Sequence, residues 1–322
     1  MMSLQGNASN SNHTLTVKKA RDNSKEDMLI EGVSKEGLLE ELQKAQAAAN
    51  QLHFSLSYYD NFKPECCSIA LHPENHLKNT FEEWALPFDH NHVSSMAGRY
   101  INASPMQFSN RSYIATQGPV KETSAEFWHM VLLEDARFII SLTNTYEVID
   151  GVHYKKFDQF WPSDAKTALF GNILVTHVNT TLVKEWEGRQ EKLRLRTFSV
   201  TDSSKTMTVY HYHMENWPDD GVVHKESLLC LIHEVEERYV DSPIVVHCAA
   251  GIGRTGTFIA AHSLFKDMQN MLNTKDQNKS SLDVILRIQE MRKLRYGAVV
   301  ASLPQYALVV DTLALALEKA NE

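Results

Sequence analysis

The chain has 322 residues, 43% of them hydrophobic, and carries a net charge of −8 from 32 basic and 40 acidic side chains. That length suits one large domain and that apolar content suits a globular one, while the negative balance gives a nucleic-acid partner no electrostatic support. Its four cysteines, Cys66, Cys67, Cys230 and Cys248, make no disulfide framework and fit a reducing, cytoplasmic compartment.

Residues 1–34 are polar and weakly patterned, and read as a disordered tail. Met1–His13 lacks the apolar centre of a secretory signal, and no apolar run approaches the ~20 residues needed to cross a bilayer. An export or docking signal read by a receptor remains open for this tail. Residues 35–322 are expected to form one domain with a helical N-terminal extension. Ser34 can cap that helix, and Leu38, Leu39, Leu42, Ala45, Ala49 and Leu52 recur at helical spacing, which predicts packing on the rest of the domain.

Phe127–Val131 reads as a helix face, and Arg137–Asn144 as a strand rich in β-branched residues. Ile173–Val178, Lys192–Val200 and Thr206–His213 alternate with period two and predict consecutive antiparallel strands. His211 and His213 share one face of the last strand, but no Cys, Asp or Glu cluster completes a metal site there. Ser227–Tyr239 has helical spacing. Later, Asn273–Ser280 reads as a polar loop, Leu282–Tyr296 as a helix with Gly297 as its C-cap, and Pro304–Lys319 as a closing helix.

Between these elements lies Val245-Val246-His247-Cys248-Ala249-Ala250-Gly251-Ile252-Gly253-Arg254-Thr255-Gly256-Thr257. Ile244–Val246 predicts a buried strand and Thr255–Phe265 a helix. A short loop between a strand and a helix N-terminus binds anions, because its N–H groups lack helical partners and the helix dipole favours negative charge. Gly251 and Gly253 let the backbone curl around an oxyanion. A cysteine facing such N–H groups and an arginine ionises readily, and the thiolate is a nucleophile. Arg254 offers a planar fork that can grip two phosphate oxygens. The loop can therefore both hold a phosphoryl group and attack it.

The string His247-Cys248-x5-Arg254-Thr255, with Gly251-Ile252-Gly253 and Gly256-Thr257-Phe258, resembles the signature of the protein tyrosine phosphatases, in their phosphotyrosine-specific branch. Further segments resemble the family in its order across more than 200 residues: Arg99–Ser104, Tyr113–Pro119 and Phe127–Val131 as scaffold, and Lys78–Glu83 as a phosphotyrosine-recognition loop. The resemblance implies an α/β fold: a highly twisted mixed β-sheet flanked by helices on both faces, with the Cys-x5-Arg loop between a strand and a helix N-terminus. It implies hydrolysis of phosphotyrosine on proteins through a cysteinyl-phosphate intermediate, a role in signalling, and no metal or cofactor. A monomer is favoured.

The resemblance also implies roles. Cys248 is the nucleophile, Arg254 the phosphate clamp, and Ala249, Ala250, Gly251, Ile252 and Gly253 the phosphate cradle. His247 orients Cys248, and Thr255 donates its hydroxyl to the departing sulfur. Trp217-Pro218-Asp219 resembles the movable acid loop: Trp217 anchors it and Asp219 protonates the leaving phenol oxygen, then serves as base. Asp220, beside it, can raise that acid's pKa. Phe81 stands where a stacking tyrosine is usual, with Glu83 reaching a substrate N–H. Glu147 pairs with Arg254, and Lys156 reaches the acid loop. Of two glutamines that the family places four residues apart, Gln305 matches the second, whereas the first, which positions the hydrolytic water, is Ala301. That loss motivates an alternative: a phosphotyrosine-binding or slow, substrate-trapping module. Lipid and dual-specificity phosphatases fit less well, since Ala249, Ala250 and Ile252 are uncharged and a recognition segment is present.

Overall fold

The computed structural model describes residues 34–55, 64–81, 84–96, 98–219, 221–274 and 282–320. The tail before Ser34, the carboxylates Glu83 and Asp220, and most of the predicted loop at Asn273–Ser280 lie outside the described residues. In chain order come α1 (Lys35–Ser55), β1 (Leu86–Pro87), β2 (Ala103–Phe108), β3 (Arg111–Thr116), α2 (Ser124–Leu133), β4 (Phe138–Ser141), β5 (Tyr146–Ile149) and β6 (Val152–Lys155). Then follow β7 (Thr167–Phe170), β8 (Ile173–Glu185), β9 (Lys192–Thr201), β10 (Thr206–Glu215), α3 (Lys225–Arg238), β11 (Ile244–His247), α4 (Gly253–Thr274), α5 (Val284–Leu294), β12 (Arg295–Tyr296) and α6 (Leu303–Lys319).

Eight strands make one mixed, twisted sheet in the order β2-β3-β11-β4-β10-β9-β8-β7. The expected α/β class is the one observed. β11 lies at the centre, parallel to both β3 and β4, and β4 is also parallel to β10. Strands buried on both faces need continuous apolar runs rather than alternation, and Phe138-Ile139-Ile140 and Ile244-Val245-Val246 supply them. Ile244, Val246, Phe138 and Ile140 pack into the larger core with α1, α3, α4 and α6. Val245 and Ile139 turn to the other face, against Phe127, Trp128 and Val131 of α2. The predicted antiparallel meander is present as β8, β9 and β10.

The Ser34 hydroxyl accepts the Gly37 N–H at 3.0 Å and caps α1. Leu38 and Leu42 are buried in the main core, and the Tyr306 hydroxyl of α6 donates to the Ala45 carbonyl at 3.0 Å, so this helix is docked as its spacing predicts. No described helix is long and apolar enough to cross a membrane.

Four predicted boundaries need correction. The strand predicted at Ile173–Val178 runs on to Glu185. The strand at Arg137–Asn144 is shorter, Phe138–Ser141, because Leu142 onward turns toward the site. The helix predicted at Thr255–Phe265 begins at Gly253 and runs to Thr274. The helix predicted at Leu282–Tyr296 spans only Val284–Leu294, capped by the Asp283 carboxylate on the Leu286 N–H at 2.9 Å. Arg295 and Tyr296 instead pair with Pro87 and Leu86 as a short antiparallel bridge. Gly297 is thus no helix cap: it holds φ +122°, and a Cβ there would stand 2.6 Å from the Trp84 carbonyl.

Candidate active site

Cys248 follows β11 directly, and the loop from it to the start of α4 closes around its sulfur. The Gly251 N–H and the Thr255 hydroxyl both donate to Sγ, each at 3.3 Å. Gly251 holds φ +74°, and a Cβ there would stand 2.2 Å from the Thr116 carbonyl oxygen, so only glycine fits this turn. From below, the Gly118 N–H donates to the Ala249 carbonyl at 2.9 Å. The Arg295 guanidinium, fully buried, donates to the Gly251 carbonyl at 2.8 Å and the Ala250 carbonyl at 3.0 Å. With the Ala249, Ala250 and Gly251 carbonyls bonded away from it, the sulfur faces the Gly251 N–H, an arrangement that favours an anion.

Arg254 is 2% exposed and crosses the mouth of this loop. One terminal nitrogen donates to Thr143 Oγ1 (2.9 Å), Glu147 Oε1 (2.6 Å) and the Trp217 carbonyl (2.7 Å); the other reaches Asp219 Oδ1 at 2.8 Å. Burial works against its charge, but Cys248, Asp219 and Glu147 outweigh that and hold its pKa above the ordinary value. Lys156 contacts the second Asp219 oxygen and lies 3.4 Å from Glu147 Oε2. Asp219 is therefore clamped between two cations, Arg254 and Lys156. Trp217 is buried, and its indole N–H donates to the Gly221 carbonyl at 3.1 Å, across the turn that carries Asp219.

The structure thus brings Cys248, Arg254, Thr255, Asp219, Trp217, Glu147 and Lys156 into one connected cluster. Gln305 adjoins it: its amide oxygen accepts the Ala301 N–H at 2.9 Å and lies 3.1 Å from where a Gly253 Cβ would be. Phe81 sits farther out, half-buried on the main core with its ring centroid 4.5 Å from that of Trp84. Its segment is tied to the loop indirectly. The Thr80 N–H donates to Gln117 Oε1 at 2.9 Å, and Asn79 Oδ1 accepts from Asn102, whose own oxygen accepts from Arg295 at 2.7 Å.

Two participants were not foreseen. Thr143 receives Arg254 and donates to Glu147 at 2.6 Å; its place just past a strand adjoining β11 is the one signal that could have found it. Arg295 gave no signal, being read as the last turn of a helix.

His247 is fully buried and its pKa is pushed down to about 3, chiefly by burial. His213 falls to about 4 for the same reason, reinforced by Arg196, and His211 is driven well below its ordinary 6.5. Each stays neutral in the fold and gains a proton on unfolding below about pH 6.5. His129, His233 and His262 are lowered too, chiefly by burial, so stability should fall as pH drops from 6.5 toward 4, with several protons taken up per unfolding event. Urea midpoints measured from pH 7 to pH 4.5 check this; a pH-independent midpoint would contradict it.

A family model described as protein-tyrosine phosphatase matches residues 75–315. Receptor-type tyrosine-protein phosphatase eta of Gallus gallus is 36% identical over 217 residues, covering 63% of this chain and 14% of that protein. Receptor-type tyrosine-protein phosphatase zeta of Homo sapiens is 30% identical over 300 residues, 83% of this chain and 12% of that protein. Tyrosine-protein phosphatase 2 of Dictyostelium discoideum is 35% identical over 202 residues, 62% of this chain and 50% of that protein. The chain therefore spans half or less of the curated relatives it matches.

Proposed function

The chain belongs to the protein-tyrosine phosphatase family, and on that premise we propose that it hydrolyses phosphotyrosine on proteins through a phosphocysteine at Cys248. The observation that carries the reading is the constellation of Cys248 Sγ, met by the Gly251 N–H and the Thr255 hydroxyl, with the Arg254 fork of the same loop bonded to Asp219. The phosphoryl oxygens displace Asp219 from Arg254 and take its place on the guanidinium and the loop N–H groups. Sγ attacks phosphorus, and Asp219, protonated for this step, gives its proton to the phenol oxygen. Thr255 then donates to the sulfur as water cleaves the S–P bond, with Asp219 accepting a proton from that water. Gln305 is the remaining amide beside Gly253 to hold this water, since Ala301 has no polar side chain. Thiolate chemistry calls for a reducing compartment.

A module that only binds phosphotyrosine needs no proton donor over the loop, and the Asp219 clamp favours turnover. Asp219→Asn keeps the shape and removes the acid. It should lower kcat on a phosphotyrosine peptide by roughly 10²-fold. It should spare the burst of nitrophenol from an activated nitrophenyl phosphate, whose leaving group needs no proton, although hydrolysis of the intermediate loses its base with either substrate. Equal losses in the rate of phenol release on both substrates would place the acid elsewhere. The direct test of the function compares purified protein on phosphotyrosine and phosphoserine peptides of one sequence, with chelator present. Release of phosphate from the first alone is expected; release from neither, with tight binding, would establish the module instead.

A further inference from the structure

Behind the phosphate loop, β4 lies between β10 and β11, and its last residue, Ser141, is in register with both His213 and His247. Its side chain joins two imidazoles. Ser141 Oγ is 2.5 Å from His247 Nε2 and 2.7 Å from His211 Nε2, and all three residues are fully buried. At the other end, His247 Nδ1 is 3.1 Å from the Cys248 carbonyl oxygen.

The proton positions follow from donor and acceptor chemistry alone. A carbonyl only accepts, so His247 Nδ1 carries the hydrogen. The ring is neutral, so its Nε2 is a bare acceptor, and the Ser141 hydroxyl must donate to it. That spends the only hydroxyl hydrogen, so His211 Nε2 must donate to Ser141. His211 Nδ1 is then left unprotonated, and it is the atom that has no hydrogen-bond partner among the described residues. The chain is therefore directional: His211 to Ser141 to His247 to the Cys248 carbonyl.

We propose that Ser141 and His211 are positioning residues for Cys248, fixing the His247 tautomer that polarises the Cys248–Ala249 peptide and so stabilises the thiolate. The peptide whose carbonyl is pulled by His247 ends in the Ala249 N–H, the first N–H of the loop after Cys248. Drawing charge onto the carbonyl makes that N–H a stronger partner for a negative sulfur or phosphate, and donors in a chain reinforce one another. The rings of Phe157 and Phe160, centred 4.9 Å and 5.4 Å from that of His247, keep water from the chain. Other charges act on the same groups. Arg254 and Arg295 couple to Cys248, Asp219 and Glu147 couple to Arg254, and Arg196 and His213 face His211. None of them replaces a donor to His247 Nε2. The purpose of this chain rests on the phosphatase reading, but its test does not.

The test is the pH profile of Cys248 alkylation by iodoacetamide, read by mass spectrometry on the Cys248 peptide. Ser141→Ala should move the midpoint up by about one pH unit, which is about tenfold slower alkylation on the acid side. His211→Gln, which keeps an N–H donor in place of the imidazole Nε2, should leave the midpoint where it is. Ser141→Ala with His211→Leu should shift it no further than Ser141→Ala alone, because the chain is already cut. The imidazole ¹⁵N spectrum of the unmodified protein should show His247 protonated at Nδ1. An unshifted midpoint in Ser141→Ala, or a wild-type His247 protonated at Nε2, would overturn the proposal, and the second result needs no variant to fold. If the midpoints shift as stated while the unmodified protein releases no phosphate, the relay stands and the reaction assigned above falls.

Discussion

Replacing Cys248 by serine should lower turnover of a phosphotyrosine peptide by at least roughly 10⁴-fold while leaving peptide binding intact. The two side chains are nearly isosteric, and Cys248 is 3% exposed on a loop whose shape is set by Gly251, Gly118 and Arg295, so the cradle survives. What changes is acidity. A thiol is intrinsically far more acidic and more nucleophilic than a hydroxyl, and the Gly251 N–H and Thr255 hydroxyl that face Sγ cannot make up that difference for serine. The phosphoryl group then meets its clamp and no nucleophile. Calorimetric titration with the peptide, beside a phosphate-release assay, reads both halves. Retained turnover would remove Cys248 from the chemistry; lost binding would mean that the variant damaged the cradle.

Arg254→Lys should cost roughly 10³-fold in kcat/KM, although the charge is kept. One guanidinium nitrogen holds Thr143, Glu147 and the Trp217 carbonyl while the other faces Asp219. A lysine has a single nitrogen and cannot fasten the acid loop through the Trp217 carbonyl while gripping two phosphoryl oxygens. The loss should therefore appear in KM, from the missing bidentate grip, and in kcat, from an acid loop less often closed. Separate measurement of the two constants checks this. Activity within tenfold of the unmodified protein would mean that charge alone suffices and that the fork geometry is incidental.

What the sequence made legible follows from which interactions are local. The phosphate loop was readable because strand, glycine turn and helix N-terminus are contiguous from Ile244 to Thr274, and every group that holds the sulfur lies within seven residues of it. Glu147, Lys156 and Asp219 came only from resemblance, since nothing along the chain shows that residues so far apart meet. Arg295 was hidden because apolar periodicity runs through Leu294 without a break. Its departure into a bridge with Pro87 is set by tertiary pairing. Ser141 and His211 were hidden because their meeting depends on the parallel register of β4 with β10 and β11, which neither strand specifies by itself.

The central claim is a covalent phosphocysteine. Rapid acid quench of the protein with a ³²P-labelled phosphotyrosine peptide, followed by digestion and mapping of the label, tests it most directly. Label on the Cys248 peptide that appears with the first turnover, decays as substrate is used up, and is absent from Cys248→Ser is the result predicted. Steady release of phosphate with no label on the protein, or with label on another residue, would contradict it.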